Sequence, residues 1–201
     1  MQDEAHSRRD HAVISIWRKY RRDLLFVLAI VIGLHLIQTR HVPAGSAPDF
    51  AAPAAGGGEI SLQQWHAQQE TGAIGLYFWA DWCPVCSAQQ SNVAAIATDW
   101  PLLSVAMQSG DAAAVGKVLE QRGLGWPTAV DENGSIAARY GVHGVPAFVV
   151  IDRSGRIRSV SIGYTTTWGM RLRLWWAGLL ARASATESDT RAAFTQADES
   201  G

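Results

Sequence analysis

The sequence predicts an α/β domain in which strands and helices alternate along the chain. Apolar stretches of strand length alternate with helical stretches between residues 62 and 121, an order that predicts parallel strands in one sheet. The only two cysteines, Cys83 and Cys86, follow directly after one of these strands. A lone Cys-x-x-Cys pair beside a βαβ pattern is typical of thiol-disulfide exchange. The 201 residues suffice for one such domain with accessory segments.

The individual elements are predicted from apolar spacing and from capping or turn residues at their ends. In chain order they are a helix over 62–70, a strand over 74–80, a helix over 84–98, a strand over 102–108 and a helix over 111–121 capped by Ser109 or Asp111. Weaker signals lie at 127–130 and 135–140. Strands over 147–151 and 157–162 flank a turn-rich stretch and predict a β-hairpin, and a helix over 167–183 closes the domain.

The spacing of the two cysteines suits redox chemistry. If the helix begins at Pro84, Cys83 stands at its N-terminus, where unpaired backbone N–H groups and the helix dipole favour a thiolate. Proline suits the first helical position because the N–H that it lacks would be unpaired there anyway. Cys86 follows one turn later on the same face. We predict that Cys83 attacks a disulfide, that Cys86 resolves the mixed disulfide, and that the pair forms the redox-active disulfide.

A cysteine pair also has other uses. A structural zinc site needs about four ligands, and the sequence has neither a second Cys-x-x-Cys nor a nearby histidine pair. Inert core cysteines do not favour a turn between strand and helix. A Cu(I)-binding module that uses both thiolates is the alternative from a different functional class, because soft metals prefer sulfur ligands. Our prediction contains no metal site and no cofactor.

The N-terminal part of the chain predicts a membrane anchor. Basic residues at 18–22 precede an apolar run over 24–37, a pattern that places the N-terminus in the cytoplasm. The run has about 14 residues, whereas roughly 20 span a bilayer comfortably, so Trp17 and Tyr20 are expected to extend it at the interface. A cleaved signal peptide, with small residues at 44–47, is the alternative. We favour an uncleaved signal anchor because Arg40 and His41 separate the run from that site.

The anchor divides the chain into segments of different character. The predicted segments are a cytoplasmic part over 1–23, a transmembrane signal anchor over 24–40, a flexible linker rich in Ala, Gly and Pro over 41–58, the catalytic domain over 59–183 and a disordered tail over 184–201. The domain is then expected in the periplasm or another extracytoplasmic space, where disulfides persist. A formal net charge of −1 gives no overall field that would favour nucleic acid.

Two segments carry a resemblance to a known family. Residues 78–86, which contain both cysteines, and residues 144–148 resemble the thioredoxin superfamily, and the resemblance covers roughly 59–183. Within that superfamily the predicted anchor, the dipeptide Pro84-Val85 and residues 140–146 are similar to the membrane-anchored TlpA-like branch. The resemblance implies a thioredoxin fold, which is a central mixed sheet flanked by helices, after an N-terminal transmembrane helix.

The resemblance also implies roles for residues around the cysteines. It makes Pro146 the family's cis-proline opposite the active-site turn, with Val145 pairing through its backbone with an extended substrate. An ordinary trans proline at the start of a strand is the alternative. Trp82 is expected to shield the turn, and Pro84 and Val85 are expected to contact the substrate as well.

Two positions depart from the family pattern. Thioredoxins carry a buried carboxylate in the strand before the motif, and Tyr77 stands at that position here. Relatives in cytochrome c maturation carry a glutamate three residues after the second cysteine, and Gln89 stands there. Neither side chain can act as a carboxylate base, so the proton of Cys86 would pass to water or to another group.

Three further polar residues lie near the motif or on the first helix. His143 precedes Pro146 by three residues and is either a surface histidine or a partner of the thiolate or of a metal. His66, on the first helix, is expected to be structural. Asp81 is expected to point to solvent and is not predicted to be catalytic.

The last predicted helix is unusually apolar. It contains Trp168, Trp175 and Trp176, interrupted by arginines. The simplest interpretation is a helix packed on the sheet with its arginines outward. An interfacial helix that touches the membrane is the alternative, because tryptophan and arginine suit the headgroup region.

The resemblance implies a direction and partners for the reaction. Anchored relatives act as reductants of protein disulfides and are recharged by a membrane electron carrier of the DsbD or ScsB type. We therefore expect a reductase or a protein that supports disulfide isomerisation, with no nucleic acid among its partners. An oxidant is the alternative direction, because reduction potentials across this fold span roughly 150 mV. A reductant dedicated to apocytochrome c is the alternative within the same chemistry.

Overall fold

This computed structural model describes residues 45–70 and 72–181. The strands are β1 (Ala51–Pro53), β2 (Glu59–Ser61), β3 (Ala73–Trp79), β4 (Leu102–Met107), β5 (Thr128–Asp131), β6 (Ala147–Asp152) and β7 (Ile157–Ile162). The helices are α1 (Leu62–Ala67), α2 (Pro84–Ala97), α3 (Ala112–Gln121), α4 (Ser135–Arg139) and α5 (167–181).

Five strands form the central sheet, in the order β5-β4-β3-β6-β7. β3, β4 and β5 run parallel, whereas β6 is antiparallel to β3 and β7 is antiparallel to β6. The predicted parallel core, the β6–β7 hairpin and the central mixed sheet are therefore confirmed. Every residue of the central strand β3 is buried, which requires the continuous apolar sequence found there.

Alternate residues of β3 supply two cores on opposite faces of the sheet. Tyr77 and Trp79 enter the core formed with α2, α3 and α5, which also contains both cysteines. Leu76 and Phe78 enter the core formed with α1 and α4. The turn that follows β3 is therefore attached to a strand that is packed on both faces.

Residues 45–58 differ from the predicted flexible linker, because they pack on the domain. Ala47 N donates a hydrogen bond to Gly155 O at 2.7 Å, Phe50 is buried, and β1 pairs with β2. The small residues allow close approach, since a Cβ added to Gly116 would lie 2.8 Å from Ala55 O. The folded domain thus extends back to Gly45 instead of beginning at 59. Residues 41–44 lie outside the described part.

The other elements lie within a few residues of their predicted positions. The weak signals at 127–130 and 135–140 correspond to β5 and α4. Asp111, not Ser109, caps α3, because its Oδ1 accepts a hydrogen bond from Ala114 N at 2.8 Å. β1, β2 and their pairing were not predicted from the sequence.

The membrane prediction concerns residues that the structure leaves undescribed. Between 45 and 70 and between 72 and 181, no helix is long and apolar enough to cross a bilayer. The apolar run over 24–37 and the predicted tail over 184–201 both lie outside these residues.

Candidate active site

Cys83 caps the N-terminus of α2, as predicted. Its Sγ accepts a hydrogen bond from the backbone N–H of Cys86 at 3.3 Å, and Pro84 occupies the first turn of the helix. The sulfur therefore lies at the positive end of the helix dipole. Negative charge that develops on this sulfur during a reaction is therefore stabilised by the helix N-terminus.

Cys86 is the more deeply buried of the two thiols. Its exposed fraction is 1%, compared with 5% for Cys83, and both cysteines are free. Burial raises the pKa of the Cys86 thiol to about 12, with a smaller contribution from its hydrogen bond with Cys83. Such a thiol stays protonated at neutral pH, so Cys86 is poorly suited to make the first attack.

The loop before β6 contacts Cys83 through Val145. The Val145–Pro146 peptide bond is cis, which confirms the prediction for Pro146. The thiol of Cys83 donates a hydrogen bond to Val145 O at 3.5 Å. Pro146 O accepts a hydrogen bond from Gly163 N at 2.7 Å, which ties this loop to the segment that precedes α5.

Residues that directly follow β4 and α3 form hydrogen bonds with the residues that lead into the motif. The indole Nε1 of Trp82 donates to Gln108 O at 3.0 Å, and Gln108 adopts a left-handed backbone with φ of 48°. The backbone N–H of Asp81 donates to Ser109 Oγ at 3.0 Å, and Arg122 Nη2 donates to Asp81 O at 3.0 Å. Together these bonds fix the orientation of the turn.

Gln108, Ser109 and Arg122 contact the residues that lead into the motif, although the sequence did not predict this role for them. The only available signal was the position of Gln108 and Ser109, which follow a strand parallel to β3 and so emerge at the same edge of the sheet. Arg122 has no local signal, because its contact with Asp81 joins residues 41 positions apart.

An exposed apolar rim surrounds the buried thiols. Trp82 is 59% exposed and Val85 is 43% exposed, Pro84 is also exposed, and Val145 is half-buried. The structure thus brings the predicted substrate-contact residues, Pro146 included, to one place around the cysteines. An apolar rim of this kind suits contact with a polypeptide. Its use in substrate binding stays a prediction.

Tyr77 and Gln89 are both buried on the cysteine side of the sheet. Burial and the neighbouring Cys86 raise the pKa of the Tyr77 hydroxyl, so it cannot serve as a base near neutral pH. The Oε1 of Gln89 accepts a hydrogen bond from Thr165 N at 2.8 Å, which links α2 to the segment before α5. Tyr77 is therefore no base for Cys86, and Gln89 joins two segments of the domain.

His143, Asp81 and His66 do not lie together in the structure. His143 is exposed in the loop before Val145, and Asp81 is half-buried. His66 is hydrogen bonded to Asp152 O at 3.0 Å through Nε2, on the far side of the domain, which is a structural contact. Among the described residues, no three His, Cys, Asp or Glu side chains are grouped closely enough to hold a metal ion.

Comparison with known families gives a clear match for the larger part of the chain. Residues 43–160 match the model of the AhpC/TSA family, and this stretch contains both cysteines and the cis-proline. The chain belongs to the AhpC/TSA family. The match begins at residue 43, in agreement with the packing of residues 45–58 on the domain.

Individual relatives extend this comparison. A thioredoxin-like protein of Haemophilus influenzae is 31% identical over 103 residues, which are 51% of this chain and 61% of that protein. The thiol-disulfide oxidoreductase ResA of Bacillus thuringiensis is 26% identical over 157 residues, which are 73% of this chain and 88% of ResA. The chain thus spans less than two thirds of the Haemophilus protein, although it spans most of ResA.

A solved structure supports the fold. DsbF of Mycobacterium tuberculosis superposes with a TM-score of 0.55 at 22% identity, over 64% of this chain and 94% of DsbF. With the sheet order and the family match, this superposition confirms the thioredoxin-like α/β fold that the sequence predicts.

The arrangement can carry out one kind of chemistry directly. One sulfur lies at a helix N-terminus, a second lies one turn behind it, and the apolar rim surrounds the first. A sulfur activated in this way can attack a disulfide presented at the rim, and the second sulfur can then displace the product.

Proposed function

We propose that this protein is a thiol-disulfide oxidoreductase, anchored in the inner (cytoplasmic) membrane, that reduces protein disulfides on the periplasmic side. The observation that supports this most is the position of Cys83 Sγ, 3.3 Å from the amide of Cys86 and 3.5 Å from Val145 O. The family and the name of ResA as a thiol-disulfide oxidoreductase agree with this chemistry. The predicted signal anchor over 24–40 supports the location.

The proposed reaction transfers two electrons in two displacements. The Cys83 thiolate attacks one sulfur of the substrate disulfide, which forms a mixed disulfide and releases the other substrate sulfur as a thiolate. Cys86 then loses its proton to solvent and attacks Cys83 Sγ. This second step forms the Cys83–Cys86 disulfide and releases the remaining substrate thiol. The substrate is reduced, and the cysteine pair is oxidised.

A membrane electron carrier must then restore both thiols. We propose a carrier of the DsbD or ScsB type, because the sequence resembles the anchored TlpA-like branch. Within that branch the sequence also resembles ScsD, the suppressor of copper sensitivity protein, and residues 105–110 contribute to that resemblance. On this proposal, the protein maintains thiols under copper stress. Measured copper tolerance should fall when the gene is deleted and recover with the wild-type chain but not with Cys83→Ser.

The reduction potential tests the direction of the reaction. The full chain, solubilised in detergent, is equilibrated with dithiothreitol and glutathione buffers, and the fraction of the Cys83–Cys86 disulfide is measured. We expect a potential near that of thioredoxin, about −270 mV. A potential near about −120 mV, the value of DsbA, would make the protein a disulfide donor and overturn the proposed direction.

Extraction of membranes tests the proposed anchor separately. Alkaline carbonate removes peripheral proteins but leaves a chain that crosses the bilayer in the membrane fraction. We expect the full chain to remain with the membrane. Its appearance in the soluble fraction would contradict anchoring without bearing on the disulfide chemistry.

A further inference from the structure

The outward side of α5 exposes large apolar side chains. Trp168 is 79% exposed, Trp175 is 55% exposed and Trp176 is 57% exposed, and Leu172 and Leu179 are exposed beside them. These five residues are called the α5 outer face below. Contiguous apolar surface of this kind marks contact with another molecule or with a membrane.

Helical geometry places the α5 outer face opposite the core. Its residues recur at intervals of three and four and fall within about 100° around the helix axis. The opposite side holds Met170, Leu174 and Ala177, which are buried in the core that contains the cysteines. Packing within this domain accounts for the inner residues but gives no role to the outer tryptophans.

Arginines flank the α5 outer face on both sides. Arg171 forms an ion pair with Asp99, and Arg173 Nη1 donates a hydrogen bond to Gly169 O at 2.9 Å. Both lie about 100° from the centre of the face. Tryptophan and leucine on one side, with arginine at its borders, is the composition of helices that lie in the headgroup region of a bilayer.

α5 leads away from the active site. Its first residue, Thr167, donates a hydrogen bond to Asn92, which lies nine residues beyond Cys83 and therefore about 13 Å farther along α2. Near its other end, Gly178 packs against Gly72, because a Cβ added to Gly72 would lie 3.1 Å from Gly178 Cα. Gly72 precedes β3, whose opposite end leads to the cysteines. α5 therefore runs toward the end of the sheet remote from the rim.

The described chain enters the domain at the same remote end. Ile157 N donates to Gly45 O at 2.8 Å, and Arg153 N donates to Gly72 O at 3.1 Å. Gly45, Gly72 and the β6–β7 turn over 153–156 therefore lie together, and they are called the distal end below. The last turns of α5 reach this end through Gly178.

The length of chain before Gly45 limits how far the domain can lie from the predicted anchor. Seven residues, 38–44, separate the apolar run from Gly45, and they can span at most about 25 Å. A linker through residue 58 would have allowed about three times that reach. If the run is the membrane anchor, the distal end is therefore held close to the lipid headgroups.

We infer that the α5 outer face lies in the headgroup region of the membrane that carries the anchor. This inference rests on the anchoring part of the proposed function. Trp175, Trp176 and Leu179 contact lipid, whereas Cys83 and the apolar rim remain accessible to substrate at the other end of the sheet. A second copy of the chain or another protein on this face would be a different outcome and would overturn the inference.

Photolabelling by lipid tests the inference on the full chain. The protein is reconstituted in vesicles of phosphatidylethanolamine and phosphatidylglycerol that contain a phospholipid with a diazirine near its headgroup. After illumination, mass spectrometry locates the labelled residues. The tryptic peptide 174–182 contains three residues of the face. Trp82, which is 59% exposed, serves as the internal control for chance collision with the bilayer.

We expect Trp175, Trp176 and Leu179 to carry roughly tenfold more label than Trp82, with each residue read by fragmentation within its own peptide, because buried apolar area determines how strongly a helix binds in the interface. The double variant Trp175→Glu with Trp176→Glu should lose this excess. The matched control, Gln63→Glu with Gln64→Glu, changes the charge equally on exposed positions of α1 and should keep it. Unchanged reduction of a soluble disulfide substrate in detergent shows that both variants fold.

The outcomes separate this inference from the proposed function. Equal labelling of Trp82 and of the three residues of the face, in a chain that resists carbonate extraction, would overturn the inference and leave anchoring intact. Cross-linked dimers through peptide 174–182 would assign the face to a second copy and overturn it as well. If carbonate extracts the chain from the membrane, both the proposed anchor and the inference are contradicted. If disulfide reduction is lost but the labelling of α5 is retained, the inference stands and the proposed activity is contradicted.

Discussion

The two ends of the central sheet differ in how many hydrogen bonds their buried reactive or charged groups make. At the distal end, the buried carboxylate of Asp152 accepts hydrogen bonds from Ser154 N, Ser154 Oγ, Arg156 N and Arg158 Nε. At the catalytic end, the sulfur of Cys83 has two hydrogen-bond contacts, one with Cys86 N at 3.3 Å and one with Val145 O at 3.5 Å. The Asp152 carboxylate is thus held by four hydrogen bonds within the domain. The Cys83 sulfur has two contacts, and we expect a substrate to replace the one with Val145 O.

The pKa values express the same contrast. Burial by itself would raise the pKa of Asp152, but the hydrogen bonds from Ser154, Arg156 and Arg158 outweigh it and hold the pKa below its ordinary value. For Cys86 burial dominates, and the pKa rises to about 12. Hydrogen bonds therefore stabilise the buried charge of Asp152 at the distal end, whereas burial favours the neutral thiol of Cys86 at the catalytic end.

The largest expected effect is at the catalytic end. Cys83→Ser removes the attacking sulfur, and we expect reduction of a protein disulfide to fall roughly a thousandfold or more, because a hydroxyl is a much weaker nucleophile at neutral pH. The free energy of unfolding of the reduced protein should change little. The control Ser87→Ala alters an exposed residue next to Cys86 and should retain full activity. Appreciable turnover by Cys83→Ser would contradict the assignment.

Loss of Cys86 should block a different step of the reaction from loss of Cys83. Cys86→Ser leaves the attack by Cys83 intact but prevents the second displacement, so a mixed disulfide with substrate should accumulate. Non-reducing electrophoresis followed by mass spectrometry would identify Cys83 as the linked residue. A variant that turns over normally, or that forms no adduct, would show that Cys86 does not resolve the intermediate.

At the distal end, Asp152→Asn should change stability and not chemistry. We expect the free energy of unfolding at neutral pH to fall by about 2–3 kcal/mol, because Arg158 and the neighbouring N–H groups lose a buried carboxylate. The control Asp99→Asn removes a partly exposed ion pair with Arg171 and should cost less than about 1 kcal/mol. Denaturant unfolding measures both, and equal losses would contradict the contrast between the two sites.

The stabilisation by Asp152 should also depend on pH. Its folded-state pKa lies below the ordinary value of 3.8, so the contribution is fully present above about pH 5 and is lost as the pH falls through the lower folded value. The difference in stability between wild type and Asp152→Asn should therefore narrow below pH 4. A difference that stays constant down to pH 2 would contradict a charged Asp152.

The smallest expected effect concerns the rim. Trp82→Ala should raise the KM for a protein disulfide about fivefold with a smaller change in kcat, because it removes apolar contact area next to Cys83. Trp176 has nearly the same exposure, 57% compared with 59%, and Trp176→Ala should leave both constants unchanged in detergent. Equal effects of the two substitutions would remove the distinction between the rim and the α5 outer face.

The catalytic turn was predictable because its determinants are local. Pro84 at the first helical position and Cys86 one turn after Cys83 set the geometry of the motif from sequence alone. The cap by an acidic or hydroxyl residue before α3 was similarly visible, although only the structure selects Asp111. Local spacing and capping therefore account for the core of the candidate site.

The remaining features depend on contacts between distant residues. Ala, Gly and Pro over 45–58 have the composition of a linker, yet the same small residues let β1 and Ala55 lie against β5, where Ala55 N donates to Thr128 O at 2.9 Å. The bond from Trp82 to Gln108 O requires the pairing of β3 with β4. Composition describes a segment by itself, whereas burial depends on the surface that the rest of the chain provides.

The rate of thiol alkylation tests most directly whether Cys83 and Cys86 differ as the structure indicates. The reduced full chain is treated with iodoacetamide between pH 6 and 10, and mass spectrometry follows each cysteine separately. We predict that Cys83 is modified first throughout, and that the rate at Cys86 is low at pH 7 and rises about tenfold per pH unit, as expected for a thiol with a pKa of about 12. Modification of Cys86 as fast as Cys83 at pH 7 would contradict the account.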